Sequence, residues 1–186
     1  YTRLGNPTND YVEARIAALE GGVGALLTSS GQSAITLAIL NLASAGNNIV
    51  ASPSLYGGST SLLNNTLRRL GIDARFVHDP YDVDEWLSLA DENTVAFYGE
   101  TIPNPKGDIF DIEKIAQAAH SVGVPLIVDN TVATPYLTRP IEWGADIVVH
   151  SATKYLGGHG TAISGAIVDA GNFDYTKDPK RFPGFN

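Results

Sequence analysis

The chain has 186 residues, 44% of them hydrophobic, and a formal charge of −8, which gives room for one sizeable core and part of a second. The acidic balance excludes the basic face of a nucleic-acid binder, and no apolar run approaches the length of a membrane span. Cysteine is absent, which excludes disulfides and thiolate metal sites and suits a cytoplasmic protein; His78, His120, His150 and His159 show no spacing of paired metal ligands on one helix.

In chain order, the segment Tyr1 to Thr8 leads into an amphipathic helix over 10–19. A short apolar strand at 25–28 runs into Ser29-Ser30-Gly31-Gln32-Ser33, which opens a helix over 33–43. A strand at 49–52, a helix over 59–70 closed by Gly71, a strand at 75–77 and a helix over 83–89 come after it. Next are a strand at 95–98, a helix over 112–122 with Asp111 at its start and Gly123 at its end, and strands at 126–129, 147–150 and 165–168. The strand candidates are short and rich in Val, Ile and Ala, as strands covered on both faces are. Alternation of such strands with helices predicts an α/β fold, with a mostly parallel, about seven-stranded sheet and helices on both faces. Ligands in such sheets sit outside the carboxyl ends of the strands, so polar residues just after predicted strands are the ones to weigh.

Three clusters qualify. The first, Ser29 to Ser33, has the free N–H groups and the glycine of an anion cradle, or is a plain N-cap turn. Asp129 ends the apolar run Pro-Leu-Ile-Val-Asp; its carboxylate suits a protonated ring nitrogen, a magnesium ion or a ribose hydroxyl, or caps the next turn of chain. Lys154 lies in His-Ser-Ala-Thr-Lys-Tyr-Leu-Gly-Gly-His-Gly. An amine there suits a Schiff base with an aldehyde cofactor, with Ser151 and Thr153 beside it to bind a phosphate; otherwise it is one more surface lysine. A nucleotide-binding domain would need G-x-G-x-x-G after the first strand, and Ser30-Gly31-Gln32-Ser33 lacks it. A phosphate cradle, an acid and an amine are together what pyridoxal phosphate requires.

The run Val128-Asp129-Asn130-Thr131 through Ser151-Ala152-Thr153-Lys154-Tyr155 resembles the lysine-site signature of the Cys/Met-metabolism family of fold-type I pyridoxal-phosphate enzymes, and the resemblance covers essentially the whole chain. It implies pyridoxal 5′-phosphate held by Lys154, with Asp129 on the pyridinium nitrogen and Gly31, Gln32, Ser151 and Thr153 on the phosphate. Tyr56, in Ser54-Leu55-Tyr56-Gly57-Gly58-Ser59, matches the tyrosine that stacks on the ring and assists proton transfer. Asn104 matches the asparagine near the phenolic oxygen, and Glu100 a nearby acid of less certain role. Tyr1 and Arg3 match residues that reach the phosphate of the neighbouring subunit. A homo-oligomer, a dimer of dimers, is therefore implied, with a small amino acid and a sulfur donor as partners and no nucleic acid or membrane. Lys154, Tyr56 and Asp129 are the implied catalytic residues.

By the same resemblance, residues 1–9 form an arm toward the neighbouring subunit, 10–170 the cofactor-binding large domain, and 171–186 the start of a linker to a C-terminal domain. Both ends read as interior positions of a longer chain. Three strings, 100–108, 154–161 and 170–175, resemble the branch that performs γ-replacement on O-acetylhomoserine with a sulfur nucleophile. Gly58 stands where methionine γ-lyases usually carry cysteine. Cystathionine γ-synthase, cystathionine γ-lyase or methionine γ-lyase activity is the alternative within the family. A catalytically incomplete cofactor-binding fragment is the alternative outside enzymology.

Overall fold

The computed structural model describes residues 1–2 and 4–185. Seven strands form one sheet in the order β1-β7-β6-β5-β4-β2-β3. They are β1 (Gly24–Thr28), β2 (Asn48–Ala51), β3 (Asp73–Phe76), β4 (Thr94–Glu100), β5 (Leu126–Asp129), β6 (Ile147–His150) and β7 (Gly165–Asp169). The pairs β2–β3, β2–β4, β4–β5 and β5–β6 are parallel, whereas β7 runs antiparallel to both β1 and β6. Six strands therefore point the same way. Their carboxyl ends bring Thr28, Ala51, Phe76, Glu100, Asp129 and His150 to one edge, and every polar cluster singled out in the sequence leaves from that edge.

The helices start where local chemistry satisfies their first N–H groups. In α1 (Pro7–Glu20) the Asn6 side chain accepts from the Thr8 N–H and Pro7 occupies the first turn; left-handed Gly21 ends the helix. Ser30 caps α2 (Gly31–Leu42), Asp82 caps α4 (Val83–Leu89) and Asp111 caps α5 (Ile112–Ser121). The helix predicted over 59–70 begins earlier, as α3 (Gly57–Ser61), and widens into a π-helical turn at Leu62–Leu67. The wider turn lets Leu62, Leu63 and Leu67 all face the core. A short helix, α6 (Thr134–Leu137), has no counterpart among the predicted elements; four residues are too few to show a helical period.

Two apolar layers flank the sheet. On one face α2 and the π-helical turn pack Ile35, Ile39, Leu63 and Leu67 onto Ile49, Tyr98, Ile127 and Val149. On the other, α1, α4 and α5 pack Ile16, Trp86 and Ile115 onto Val50, Phe97, Val128 and Val148. Strand alternation explains the split, since neighbouring residues point to opposite faces. The 171–185 stretch lies against the body: Phe173, Tyr175, Phe182 and Phe185 form an aromatic group, and the Arg181 Nη1 donates to the Val122 carbonyl at 2.7 Å. Among the described residues no helix is long and apolar enough to cross a membrane.

Candidate active site

Hydrogen bonds tie the loops at the carboxyl edge into one crevice. Asp129 closes β5, and its Oδ1 accepts from both the N–H (2.9 Å) and the Oγ1 (2.5 Å) of Thr131. Thr131 Oγ1 in turn accepts from the Ser151 N–H at 2.7 Å, which links the loop after β5 to the loop after β6. Ser151 touches Gly31 at the start of α2 so closely that a Cβ on Gly31 would lie 2.6 Å from the Ser151 Cβ and 2.8 Å from its Cα. Only glycine permits that approach. On the other side, the Tyr56 N–H donates to Glu100 Oε1 and Oε2 at 2.9 and 3.0 Å, joining the loop after β2 to the end of β4. Glu100 and Asp129 are register partners across β4 and β5.

The start of α2 supplies anion-binding groups. Ser30 Oγ accepts from the Ser33 N–H and the Ser30 carbonyl accepts from the Ala34 N–H. The N–H groups of Gly31 and Gln32 lie ahead of the helical ladder and stay available. Tyr56 is half exposed, and a Cβ on Gly58 would lie 2.6 Å from its ring and 3.2 Å from Gln32 Nε2, so the ring stands beside the cradle. The turn carrying Asn104 is fastened to the same edge: Lys106 Nζ donates to Ser54 Oγ at 3.1 Å, and that hydroxyl donates to Asp108 Oδ2 at 2.8 Å. The Lys154 N–H donates to the Ser151 carbonyl, and the Lys154 side chain is exposed.

Two expected site residues sit differently from the rest. The Thr153 hydroxyl donates to the Ser164 carbonyl at 3.0 Å and accepts from the Ser164 N–H; its single proton is committed, so binding a phosphate requires the hydroxyl to turn. Tyr1 is 81% exposed. Arg3 lies outside the described residues. Sequence reasoning misses Thr131 as a functional residue, although Asp-x-Thr after a strand is the signature of the turn it forms, in which an aspartate accepts from the N–H two residues on.

The electrostatics divide the two acids. Burial and the Asp129 charge push the Glu100 carboxyl up to about 8. Burial also raises Asp129, but the two Thr131 hydrogen bonds and the charge of His150 oppose the rise. Neighbouring like charges cannot both ionise freely, and the Asp129 charge adds to the rise that burial imposes on Glu100. The Tyr98 hydroxyl, fully buried and facing both acids, is raised well above its ordinary range by burial and their charges.

The same arrangement makes stability pH-dependent. The Glu100 carboxyl is raised on folding, so the folded state binds the extra proton and stability falls as pH climbs from about 4.5 toward about 8. Glu100→Gln keeps an acceptor for the Tyr56 N–H without the charge. The cofactor-free variant is expected to melt with the wild type near pH 4.5 and above it at pH 9, by on the order of a few kcal/mol. Thermal melts across that range check this; parallel curves would contradict it.

These residues fit pyridoxal phosphate. The N–H groups of Gly31 and Gln32 and the Ser151 hydroxyl suit its phosphate, Tyr56 its ring and Lys154 its aldehyde. Asp129 is 9% exposed, and among the described residues nothing donates to its Oδ2, which suits a pyridinium N–H.

The model of the Cys/Met metabolism PLP-dependent enzymes matches residues 1–183. The chain belongs to this family. Members with similar sequences include the O-acetyl-L-homoserine sulfhydrylase of Leptospira meyeri, 55% identical over 94% of this chain and 39% of that protein. The O-acetyl-L-homoserine sulfhydrylase of Corynebacterium glutamicum is 52% identical over 100% of this chain and 42% of its own length. The chain thus spans about two fifths of the curated relatives it matches. Among solved structures, a Campylobacter jejuni protein assigned as an O-acetylhomoserine (thiol)-lyase, with N′-pyridoxyl-lysine-5′-monophosphate in its chain, superposes with a TM-score of 0.95 at 41% identity. That match covers 100% of this chain and 45% of that one. The fold of this family member is accordingly that of the pyridoxal-phosphate enzymes' large domain.

Proposed function

We propose that the protein catalyses replacement of the γ-substituent of an activated homoserine ester, O-acetylhomoserine, by a sulfur nucleophile, giving homocysteine or methionine. The observation that carries this reading is identity of 52–55% to O-acetyl-L-homoserine sulfhydrylases across nearly the whole chain. Pyridoxal phosphate, when bound, supplies an aldehyde that takes up an amine and a ring that draws electrons from the substrate's α-carbon.

The chain's own residues divide the remaining work. Gly31, Gln32 and Ser151 hold the phosphate against the start of α2, where partial positive charge favours it. Asp129 keeps a proton on the ring nitrogen, and Thr131 fixes the direction of that carboxylate. The Lys154 amine would hold the aldehyde and is the base that would move the proton at the substrate's α-carbon. Tyr56 clamps the ring, with its hydroxyl in reach of proton transfers, and Asn104 stands beside the substrate. Tyr1 and Arg3 complete the phosphate site of a neighbouring subunit, which makes the working form a homo-oligomer.

The test is a comparison of kcat/KM for O-acetylhomoserine, O-succinylhomoserine and cystathionine, with sulfide as nucleophile for the esters. O-acetylhomoserine is expected to be preferred by at least about tenfold, equivalent to about 1.4 kcal/mol. A preference for cystathionine would overturn the reading in favour of a lyase. The cradle has its own test: Gly31→Ala forces α2 away from Ser151 and is expected to weaken pyridoxal phosphate binding by about tenfold or more, measured by equilibrium dialysis. Unchanged affinity would remove Gly31 from the phosphate site.

A further inference from the structure

The end of β4 and the segment after it grip the loop that carries Tyr56 at two points. At the first, Glu100, the last residue of β4, accepts from the Tyr56 N–H with Oε1 at 2.9 Å and Oε2 at 3.0 Å. At the second, Ser54 Oγ donates to Asp108 Oδ2 at 2.8 Å and accepts from Lys106 Nζ at 3.1 Å. The gripping segment is itself fixed. The Thr101 N–H and hydroxyl donate to the Asp129 carbonyl at 3.0 and 3.2 Å, and the Phe110 N–H returns to the Thr101 carbonyl at 3.1 Å. The Phe110 ring lies on Gly99 so closely that no Cβ would fit there. The main chain at Tyr56 is thus tied, through Glu100 and Thr101, to the end of β5 where Asp129 stands.

The Tyr56 ring has little packing of its own to hold it, being half exposed. It lies over Gly58, where a Cβ would come within 2.6 Å of the ring and 3.2 Å of Gln32 Nε2. Gln32 belongs to the first turn of α2, at the phosphate cradle. A shift of the main chain at Tyr56 therefore moves the ring relative to that cradle. Stability alone is a poor account of Glu100. The residue is 6% exposed, and burial with the Asp129 charge pushes its carboxyl up to about 8. Burying an ionisable group is costly, and the N–H of a half-exposed residue is served as well by water. Such a break with local economy is where function is to be sought.

We propose that Glu100 is a positioning residue: by gripping the Tyr56 N–H it fixes where the Tyr56 ring stands beside the phosphate cradle, and so the ring's seat against the cofactor. This rests on the proposed function, in which Tyr56 clamps the cofactor ring. The grip works through the main chain of Tyr56 and needs no contact between Glu100 and substrate. A carboxyl oxygen accepts whether or not the group is ionised, so the grip does not depend on the proton that Glu100 carries.

Hydrogen exchange at the Tyr56 amide, in the full chain free of cofactor, reads the grip directly. Glu100→Ala, which has no acceptor, is expected to speed that exchange by about tenfold or more over wild type. Glu100→Gln keeps an acceptor and is expected to restore most of the protection. Exchange at an unprotected rate in the wild type overturns the inference, and that measurement needs no variant to fold. In protein loaded with pyridoxal phosphate, Glu100→Ala is expected to lower kcat for O-acetylhomoserine and sulfide by about tenfold or more. The same change made in Tyr56→Ala is expected to cost nothing further, because the residue it positions is already gone. Losses that multiply in the double variant would place the effect of Glu100 elsewhere and overturn its role through Tyr56. Borohydride reduction of the loaded wild type separates the two readings. Failure to fix the cofactor on Lys154 defeats the proposed function itself. Fixation together with multiplying losses defeats only the role of Glu100.

Discussion

Lys154→Ala is expected to lower kcat by about 10³-fold or more with O-acetylhomoserine and sulfide, the loss of a positioned general base alone being worth about 10²–10⁴. The same change is expected to abolish covalent fixation of pyridoxal phosphate by borohydride while leaving the fold intact. The side chain is exposed and makes no hydrogen bond or ion pair among the described residues, so its removal opens no cavity and orphans no partner. The melting temperature of the cofactor-free variant should therefore match that of wild type. Residual binding should persist through the phosphate, because the Gly31 and Gln32 N–H groups and the Ser151 hydroxyl are independent of the amine. Peptide mapping after reduction, kcat and a thermal melt check the three expectations separately. Substantial turnover in the variant, or a reduced adduct on another lysine, would remove Lys154 from the chemistry.

The sheet was legible because its strands are covered on both faces. Leu126-Ile-Val-Asp and Ile147-Val-Val-His stand out as short apolar runs ending in a polar residue, and the predicted and observed bounds coincide at both. Strand direction was not legible: β7 reads like any other buried strand, and only its pairing with β1 and β6 shows it antiparallel. The first, second and third clusters could be placed on one edge because parallel strands deliver their succeeding loops to the same side. Contacts across that edge were another matter. Nothing in sequence spacing says that Gly31 abuts Ser151, 120 positions on, or that Glu20 meets His150, 130 positions on. Such pairs are set by how α1 and α2 pack on the sheet, which local pattern does not encode. Thr131 is an intermediate case. Its turn with Asp129 is local and readable, but its second bond, from the Ser151 N–H, is not.

Asp129→Asn separates charge from shape. Asparagine fills the same space and its oxygen still accepts from the Thr131 N–H and hydroxyl, so the turn between β5 and the loop leading to Ser151 is kept. What changes is the group presented to the ring nitrogen: an amide N–H₂, which donates, replaces a carboxylate, which accepts. The ring nitrogen then loses its proton and with it most of its capacity to draw electrons. Turnover is expected to fall by about 10²- to 10³-fold, the range for removing one preorganised electrostatic contact, while Lys154 still fixes the cofactor on reduction. Glu100 supplies an independent readout. The Asp129 charge is one of the two causes that raise it, burial being the larger, so its carboxyl should move down from about 8 in the variant without reaching the ordinary carboxylate range. Carbon NMR of the Glu100 carboxyl across pH, in cofactor-free protein, measures that shift directly. If turnover survives, Asp129 is not the ring's partner; if turnover collapses but Glu100 titrates unchanged, the two acids are not electrically coupled.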